Sequence, residues 1–165
     1  MYKYTDYFET YGRIMQFNKN KKEAFHRWYP FVEGYSKEFI QSILEETGNN
    51  KLVCLEPFSG SGTTALELQT SGIECYSFEV NPLMYLVSRV KLETRYNLTD
   101  VQKWYLFIQY QRTNINDIEL KSEFRTLYQS DDKEKWNYHN EVAQAISKLH
   151  NSINKIDCEM YRELF

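Results

Sequence analysis

The segment from Leu52 to Thr64, with the sequence LVCLEPFSGSGTT, constrains the fold more than any other part of the chain. Its first apolar residues are typical of a buried strand in a parallel sheet. Gly60 and Gly62 allow a sharp turn and a close approach of the backbone to a ligand. The hydroxyl side chains of the turn can accept hydrogen bonds from the free N–H groups of a following helix. A strand, a turn and a helix N-terminus in this order are typical of a nucleotide-like binding site.

Two common glycine-rich motifs match this turn incompletely. A P-loop requires a lysine directly after its last glycine, and Thr63 follows Gly62 here. The dinucleotide motif G-x-G-x-x-G is matched only in its looser form, because Ala65 takes the place of the third glycine. Glu56 at the end of the strand would repel a pyrophosphate. A carboxylate at this position favours a ligand with an ammonium or sulfonium group, and it disfavours a nicotinamide-dependent oxidoreductase.

The stretch EPFSGSGTT resembles the D-P-F-x-G-S-G-T-T motif of S-adenosylmethionine-dependent DNA amino-methyltransferases, which modify adenine N6 or cytosine N4. Glu56 replaces the usual aspartate, which keeps the charge and adds one methylene group. The resemblance implies that S-adenosyl-L-methionine is the cofactor. It also implies that the stretch contacts this cofactor through Glu56, Pro57, Phe58, Ser59, Gly60, Ser61, Gly62, Thr63 and Thr64. The alternative is an ordinary glycine–serine turn.

A second strand is predicted over residues 73–78, and it is followed by Glu79. An acidic residue about 20 positions after a glycine-rich turn can accept hydrogen bonds from both hydroxyls of a ribose. The resemblance assigns that role to Glu79 and places Val80 and Asn81 on the adenine side of the cofactor. The alternative is that Glu79 caps the helix beginning at Asn81 and Pro82, since these residue types favour a helix start. The two roles are compatible.

An aromatic segment, HRWYPF at residues 26–31, precedes the glycine-rich turn. The resemblance implies that it covers the methionine end of the cofactor, with His26, Trp28 and Tyr29 as candidate contacts. The alternative is ordinary packing of aromatic side chains in a core. Ser36 is predicted to cap the helix that follows.

The family's catalytic motif does not occur in this sequence. The resembling enzymes use Asp/Asn/Ser-Pro-Pro-aromatic, whose ring stacks on the flipped target base. The three prolines here, Pro30, Pro57 and Pro82, are not adjacent to one another, so no catalytic residue is assigned. The motif would follow the segments described above. We therefore expect one subunit of a split enzyme, an enzyme truncated before this motif, or a relative that binds without catalysing.

The predicted fold class is α/β, a partial Rossmann-like methyltransferase fold with a helix-rich C-terminal half. Residues 1–95 form the cofactor-binding part, and residues 96–165 form a helical insertion or continuation of the same domain. The helical patterns cover 64–70, with Gly72 as the stop, and 82–93, 141–153 and 156–165. Another helix is predicted to open with a capping box formed by Thr99 and Gln102. Residues 115–128 are ambiguous, with a helix from Ile118, and residues 130–135 read as a charged loop.

Two parallel strands are too few for a stable sheet, because parallel sheets are covered on both faces. We therefore expect a second polypeptide, or self-association, to complete the sheet. These features favour the S-adenosylmethionine-binding portion of a DNA methyltransferase. The alternative is a non-catalytic binding or assembly subunit of a methyltransferase complex.

The composition limits the partners of the chain. The net charge is −3, whereas DNA-binding domains are usually basic, so DNA contact is expected through the complete enzyme. The mean hydropathy of −0.66 and the lack of a long apolar run exclude a membrane span, and the first residues do not form a signal peptide. A cytoplasmic location is therefore expected. The cysteine and histidine spacings do not match metal ligands.

Overall fold

The computed structural model describes residues 6–31, 34–48, 51–114 and 138–165. The chain forms two compact units, residues 1–94 and residues 95–165. The predictions for 115–128 and for 130–135 lie outside the described residues. In the part that is described, no helix is long and apolar enough to cross a membrane.

The first unit contains four α-helices, two short 3₁₀ segments and two strands in the described ranges. In chain order they are α1 (Phe8–Tyr11), 3₁₀ segments Phe17–Lys22 and His26–Trp28, α2 (Lys37–Thr47), β1 (Val53–Glu56), α3 (Thr63–Thr70), β2 (Glu74–Ser77) and α4 (Pro82–Leu92). The second unit contains α5 (Leu98–Asn114), α6 (Asn140–Ile153) and α7 (Glu159–Leu164).

Strands β1 and β2 pair in parallel, with Val53 opposite Glu74 and Glu56 opposite Ser77. A helix, α3, connects them, as a parallel pair requires. Helices and a small parallel sheet make the described part an α/β arrangement. Both strands lie within a residue or two of their predicted positions.

The prediction that the first strand is buried is wrong for this chain. Val53 and Leu55 are 63% and 66% exposed, and Tyr76 beside Leu55 is 56% exposed. Their neighbours Cys54 and Cys75 are half-buried. Successive side chains of a strand point to opposite faces, so one face of this sheet is partly covered and the other is open.

Side-chain caps fix the starts of α2 and α4. Ser36 Oγ accepts a hydrogen bond from the backbone N–H of Phe39 at 3.2 Å, which confirms the predicted cap. Asn81 Oδ1 accepts from the N–H of Leu83 at 2.9 Å, and Pro82 occupies the first turn, as predicted. Because α4 begins directly after β2, its start lies beside the end of the sheet.

The capping box predicted for α5 is wrong. The helix already begins at Leu98, and Asn97 Oδ1 accepts a hydrogen bond from the N–H of Thr99 at 2.8 Å. Asn97 therefore caps the helix, and Thr99 lies within its first turn.

The second unit has a core of Ile108, Ile156 and Tyr161. Tyr161 on α7 accepts a hydrogen bond from the N–H of Asn97 at 3.0 Å, which holds α7 near the start of α5. The helix predicted over 156–165 is confined to Glu159–Leu164. The predicted helix over 141–153 is confirmed, although much of its apolar stripe remains exposed, with Leu149 at 41%.

Candidate functional site

The turn between β1 and α3 is joined to the end of β2 by backbone hydrogen bonds. Phe78 N–H donates to the carbonyl of Glu56 at 2.8 Å, and Ser59 N–H donates to the carbonyl of Phe78 at 2.9 Å. These bonds continue the parallel pairing beyond the strands, so the turn starts from a fixed position. Gly62 N–H donates to the carbonyl of Ser59 at 2.9 Å, which closes the turn.

Both glycines of the turn have backbone conformations that disfavour a side chain, and both have close neighbours. Gly60 has φ +52° and Gly62 has φ +80°, a region that residues with a Cβ rarely adopt. A Cβ on Gly62 would lie 2.8 Å from Cβ of Ser88, and a Cβ on Gly60 would lie 3.0 Å from the ring of Phe31. The turn is therefore packed between α4 on one side and Phe31 on another.

The hydroxyl groups of the turn do not cap α3, contrary to the sequence prediction. The cap position is Gly62, which has no side chain to accept hydrogen bonds. Ser59 and Ser61 are buried, and within the described residues their Oγ atoms have no hydrogen-bond partner. The first-turn N–H groups of α3 can therefore be satisfied by a ligand, and the helix dipole favours an anionic group there.

Tyr35 is a residue of the site that sequence analysis missed. Its hydroxyl donates to Glu56 Oε2 at 3.0 Å and also contacts Oγ1 of Thr64. Burial raises the pKa of Tyr35 to about 12. The other carboxylate oxygen of Glu56 accepts from the N–H of Phe58 at 3.0 Å. The one available signal was the position of Tyr35 directly before the capping residue of α2.

Glu79 connects the turn to the start of α4. Its Oε2 accepts from the N–H of Gly60 at 2.7 Å, and its Oε1 accepts from the N–H of Asn81 at 2.8 Å. The bonds from Asn81 and Gly60 lower the pKa of Glu79. Each carboxylate oxygen can accept more than one hydrogen bond, so Glu79 can also accept hydrogen bonds from the hydroxyl groups of a ligand. Val80 beside it is 98% exposed.

The aromatic segment is placed differently from the turn residues. His26 is buried, and its Nε2 lies 2.9 Å from Oε1 of Glu67 in the middle of α3. Trp28 is 46% exposed and packs against Phe25, with ring centroids 4.9 Å apart. Tyr29 is half-buried. The structure thus brings Glu56, the glycine turn, Glu79 and Asn81 together, whereas His26 contacts Glu67 in the middle of α3.

A small open cavity of about 50 Å³ lies at the turn. Its lining residues are Phe31, Gly34, Tyr35, Phe58, Ser59, Gly60, Ser61 and Thr63. Pockets that enclose a drug-sized ligand have volumes of about 300–1,000 Å³. The cavity is therefore too small to enclose a drug-sized ligand, and Phe58, which lines it, is 85% exposed.

Several Type II DNA methyltransferases are similar to part of this chain. M.BsoBI of Geobacillus stearothermophilus is 33% identical over 100 residues, which cover 59% of this chain and 20% of the relative. M.MvaI of Kocuria varians is 36% identical over 78 residues, covering 45% of this chain and 17% of the relative. M.MjaII of Methanocaldococcus jannaschii is 25% identical over 85 residues, covering 52% and 16%.

No family model matches the chain, and the comparison with solved structures found no match. The chain spans about a fifth of the length of the curated relative M.BsoBI. The similarity to several Type II methyltransferases supports the interpretation of this chain as a portion of a DNA methyltransferase.

Proposed function

We propose that the chain is the S-adenosyl-L-methionine-binding portion of a DNA methyltransferase that modifies adenine N6 or cytosine N4. The observation that carries this proposal is the contact between Glu79, at the end of the second strand, and the N–H of Gly60 in the glycine turn. A carboxylate and a turn joined in this way can hold the ribose and the methionine part of one cofactor. The two candidate target amines, adenine N6 and cytosine N4, come from the resemblance and are part of this proposal.

The proposed binding mode follows the charges around the turn. The cofactor's carboxylate would lie at the first-turn N–H groups of α3, where the helix dipole is favourable. Its ammonium group would face the carboxylate of Glu56, directly or through a water molecule. The ribose hydroxyls would donate to Glu79, and the adenine would lie beside Val80 and Asn81.

The bound cofactor would supply a methyl group on a sulfonium, which the exocyclic amine of the target base can attack directly. The residues of this chain would bind and orient the cofactor, with the acidic Glu56 and Glu79 compensating its positive charges. The base pocket requires a Pro-Pro-aromatic motif, which this sequence lacks. We therefore propose that another part of the enzyme, or another polypeptide, supplies that motif and completes the contact with DNA.

The open face of the sheet is an argument for a partner that covers it and completes the fold. Val53, Leu55 and Tyr76 form an apolar surface there, with exposures of 56–66%. A second polypeptide or a second copy of the chain would remove this surface from water. The same surface favours the second candidate function, a non-catalytic assembly subunit. A cytoplasmic location belongs to the same proposal.

Calorimetric titration of the full chain with S-adenosylhomocysteine tests the proposed function. We expect micromolar binding by the wild type and loss of binding in Glu79→Ala. Glu74→Ala is a matched control, because it removes a carboxylate at the other end of the same strand. A wild-type chain that is folded by circular dichroism and does not bind would contradict the proposal. Equal binding by Glu79→Ala would remove Glu79 from the site.

A further inference from the structure

Lys91 on α4 is a buried amine directly behind the glycine turn. It is 2% exposed, and its Nζ donates to the backbone carbonyl of Ser61 at 2.9 Å. Burial lowers the pKa of Lys91 to about 8, because the charged form loses its hydration. Lysine is almost never fully buried unless its charge is paired, so this placement is unfavourable by itself. The contact with the turn gives a reason for it.

The hydrogen bond from Lys91 fixes one peptide group of the turn. The carbonyl of Ser61 accepts a hydrogen bond from Lys91. The N–H of the same peptide group belongs to Gly62 and donates to the carbonyl of Ser59. Because a peptide group is planar, two bonds on its opposite ends fix its orientation. This peptide immediately precedes the first turn of α3, so its orientation determines where the N–H groups of α3 point.

A second, independent contact lies one turn earlier on the same helix. The backbone of Gly62 approaches Ser88 so closely that an added Cβ would lie 2.8 Å from Cβ of Ser88. Residues three apart on a helix share a face, so Ser88 and Lys91 meet the turn together. The helix α4 therefore holds the turn through one packing contact and one charged hydrogen bond.

We propose that Lys91 is a positioning residue, which holds the Ser59–Thr64 turn in the conformation that receives the cofactor. This inference rests on the proposed function for its consequence in binding. The effect of Lys91 on the turn itself does not depend on the proposed function and can be measured without a cofactor. Lys91 does not itself contact the cofactor in this proposal, since it approaches the turn from the side of α4.

The variant Lys91→Met separates this role from simple space filling. Methionine is unbranched and apolar and can fill much of the same volume, but it cannot donate to Ser61. Removal of the buried ammonium also removes its desolvation cost, which offsets the lost hydrogen bond to Ser61, so the variant is expected to fold. Lys91→Gln retains an N–H donor on a shorter side chain. Lys155→Met is the control, because it removes an exposed lysine that donates to Gln111 in the second unit.

The first measurement is amide hydrogen exchange of Gly60 and Gly62 in the full chain without cofactor, because the N–H groups of these two residues donate to Glu79 and Ser59. We expect exchange about tenfold faster in Lys91→Met, a smaller increase in Lys91→Gln, and no change in Lys155→Met. The midpoint of urea unfolding should not fall in Lys91→Met. Unchanged exchange in Lys91→Met, or an equal increase in exchange across the whole first unit, would overturn the positioning role.

The second measurement is titration of the same variants with S-adenosylhomocysteine. We expect about tenfold weaker binding by Lys91→Met, with partial recovery in Lys91→Gln. Faster exchange with unchanged affinity would overturn the link between the held turn and binding. If no variant and no wild-type chain binds, the proposed function fails, and the exchange result still decides whether Lys91 holds the turn.

Discussion

Replacement of Gly62 by alanine is expected to destabilise the first unit through two separate effects. The left-handed backbone at φ +80° costs about 1–2 kcal/mol for a residue with a Cβ. The added Cβ would also lie 2.8 Å from Cβ and 3.1 Å from Cα of Ser88, so α4 would have to move. Overpacking of this kind costs about 1–3 kcal/mol. The sum of about 2–5 kcal/mol is large beside the total stability of about 5–15 kcal/mol that is typical of domains.

Gly72→Ala is the matched control for this experiment. Gly72 follows the other end of α3 and has φ +69°, but a Cβ there would meet nothing within 4 Å. It should therefore show only the backbone cost of about 1–2 kcal/mol. Urea denaturation followed by circular dichroism measures both free energies of unfolding. Equal losses in the two variants would refute the close packing of α4 against the turn.

Three further predictions concern Asn81 and Glu79 at the end of the sheet and Thr99 on α5. Asn81→Ala should lower the free energy of unfolding by about 1 kcal/mol, because it removes the cap of α4. Thr99→Ala should change the free energy of unfolding by less than about 0.5 kcal/mol, since Asn97 provides the cap of α5. Comparable losses for Asn81→Ala and Thr99→Ala in urea denaturation would contradict this. Glu79 has a lowered pKa when folded, so its ionised form contributes stability above its ordinary pKa of 4.5, and this contribution disappears as the pH falls through the folded pKa. The difference in stability between wild type and Glu79→Gln should therefore shrink in acid, and a difference independent of pH would argue against the bonds from Asn81 and Gly60.

Features that depend on neighbouring residues could be predicted from the amino-acid sequence. The cap at Ser36, the start of α4 at Asn81 and the parallel pair of strands were all confirmed. The positive φ values of Gly60 and Gly62 agree with the sharp turn expected from their spacing. Caps and turns are set by the conformational preferences of a few adjacent residues, so a short stretch of sequence contains the necessary information.

Contacts between distant segments could not be predicted in this way. Tyr35 reaches Glu56 across 21 positions, Lys91 reaches Ser61 across 30, and His26 reaches Glu67 across 41. Such pairs depend on how helices pack on the sheet, and a tyrosine, lysine or histidine has no local pattern that identifies its partner. The exposure of β1 is of the same kind, because an apolar strand is buried only where another element covers it. The local sequence specifies the conformation of the glycine turn, and long-range packing specifies which side chains hold that turn in place.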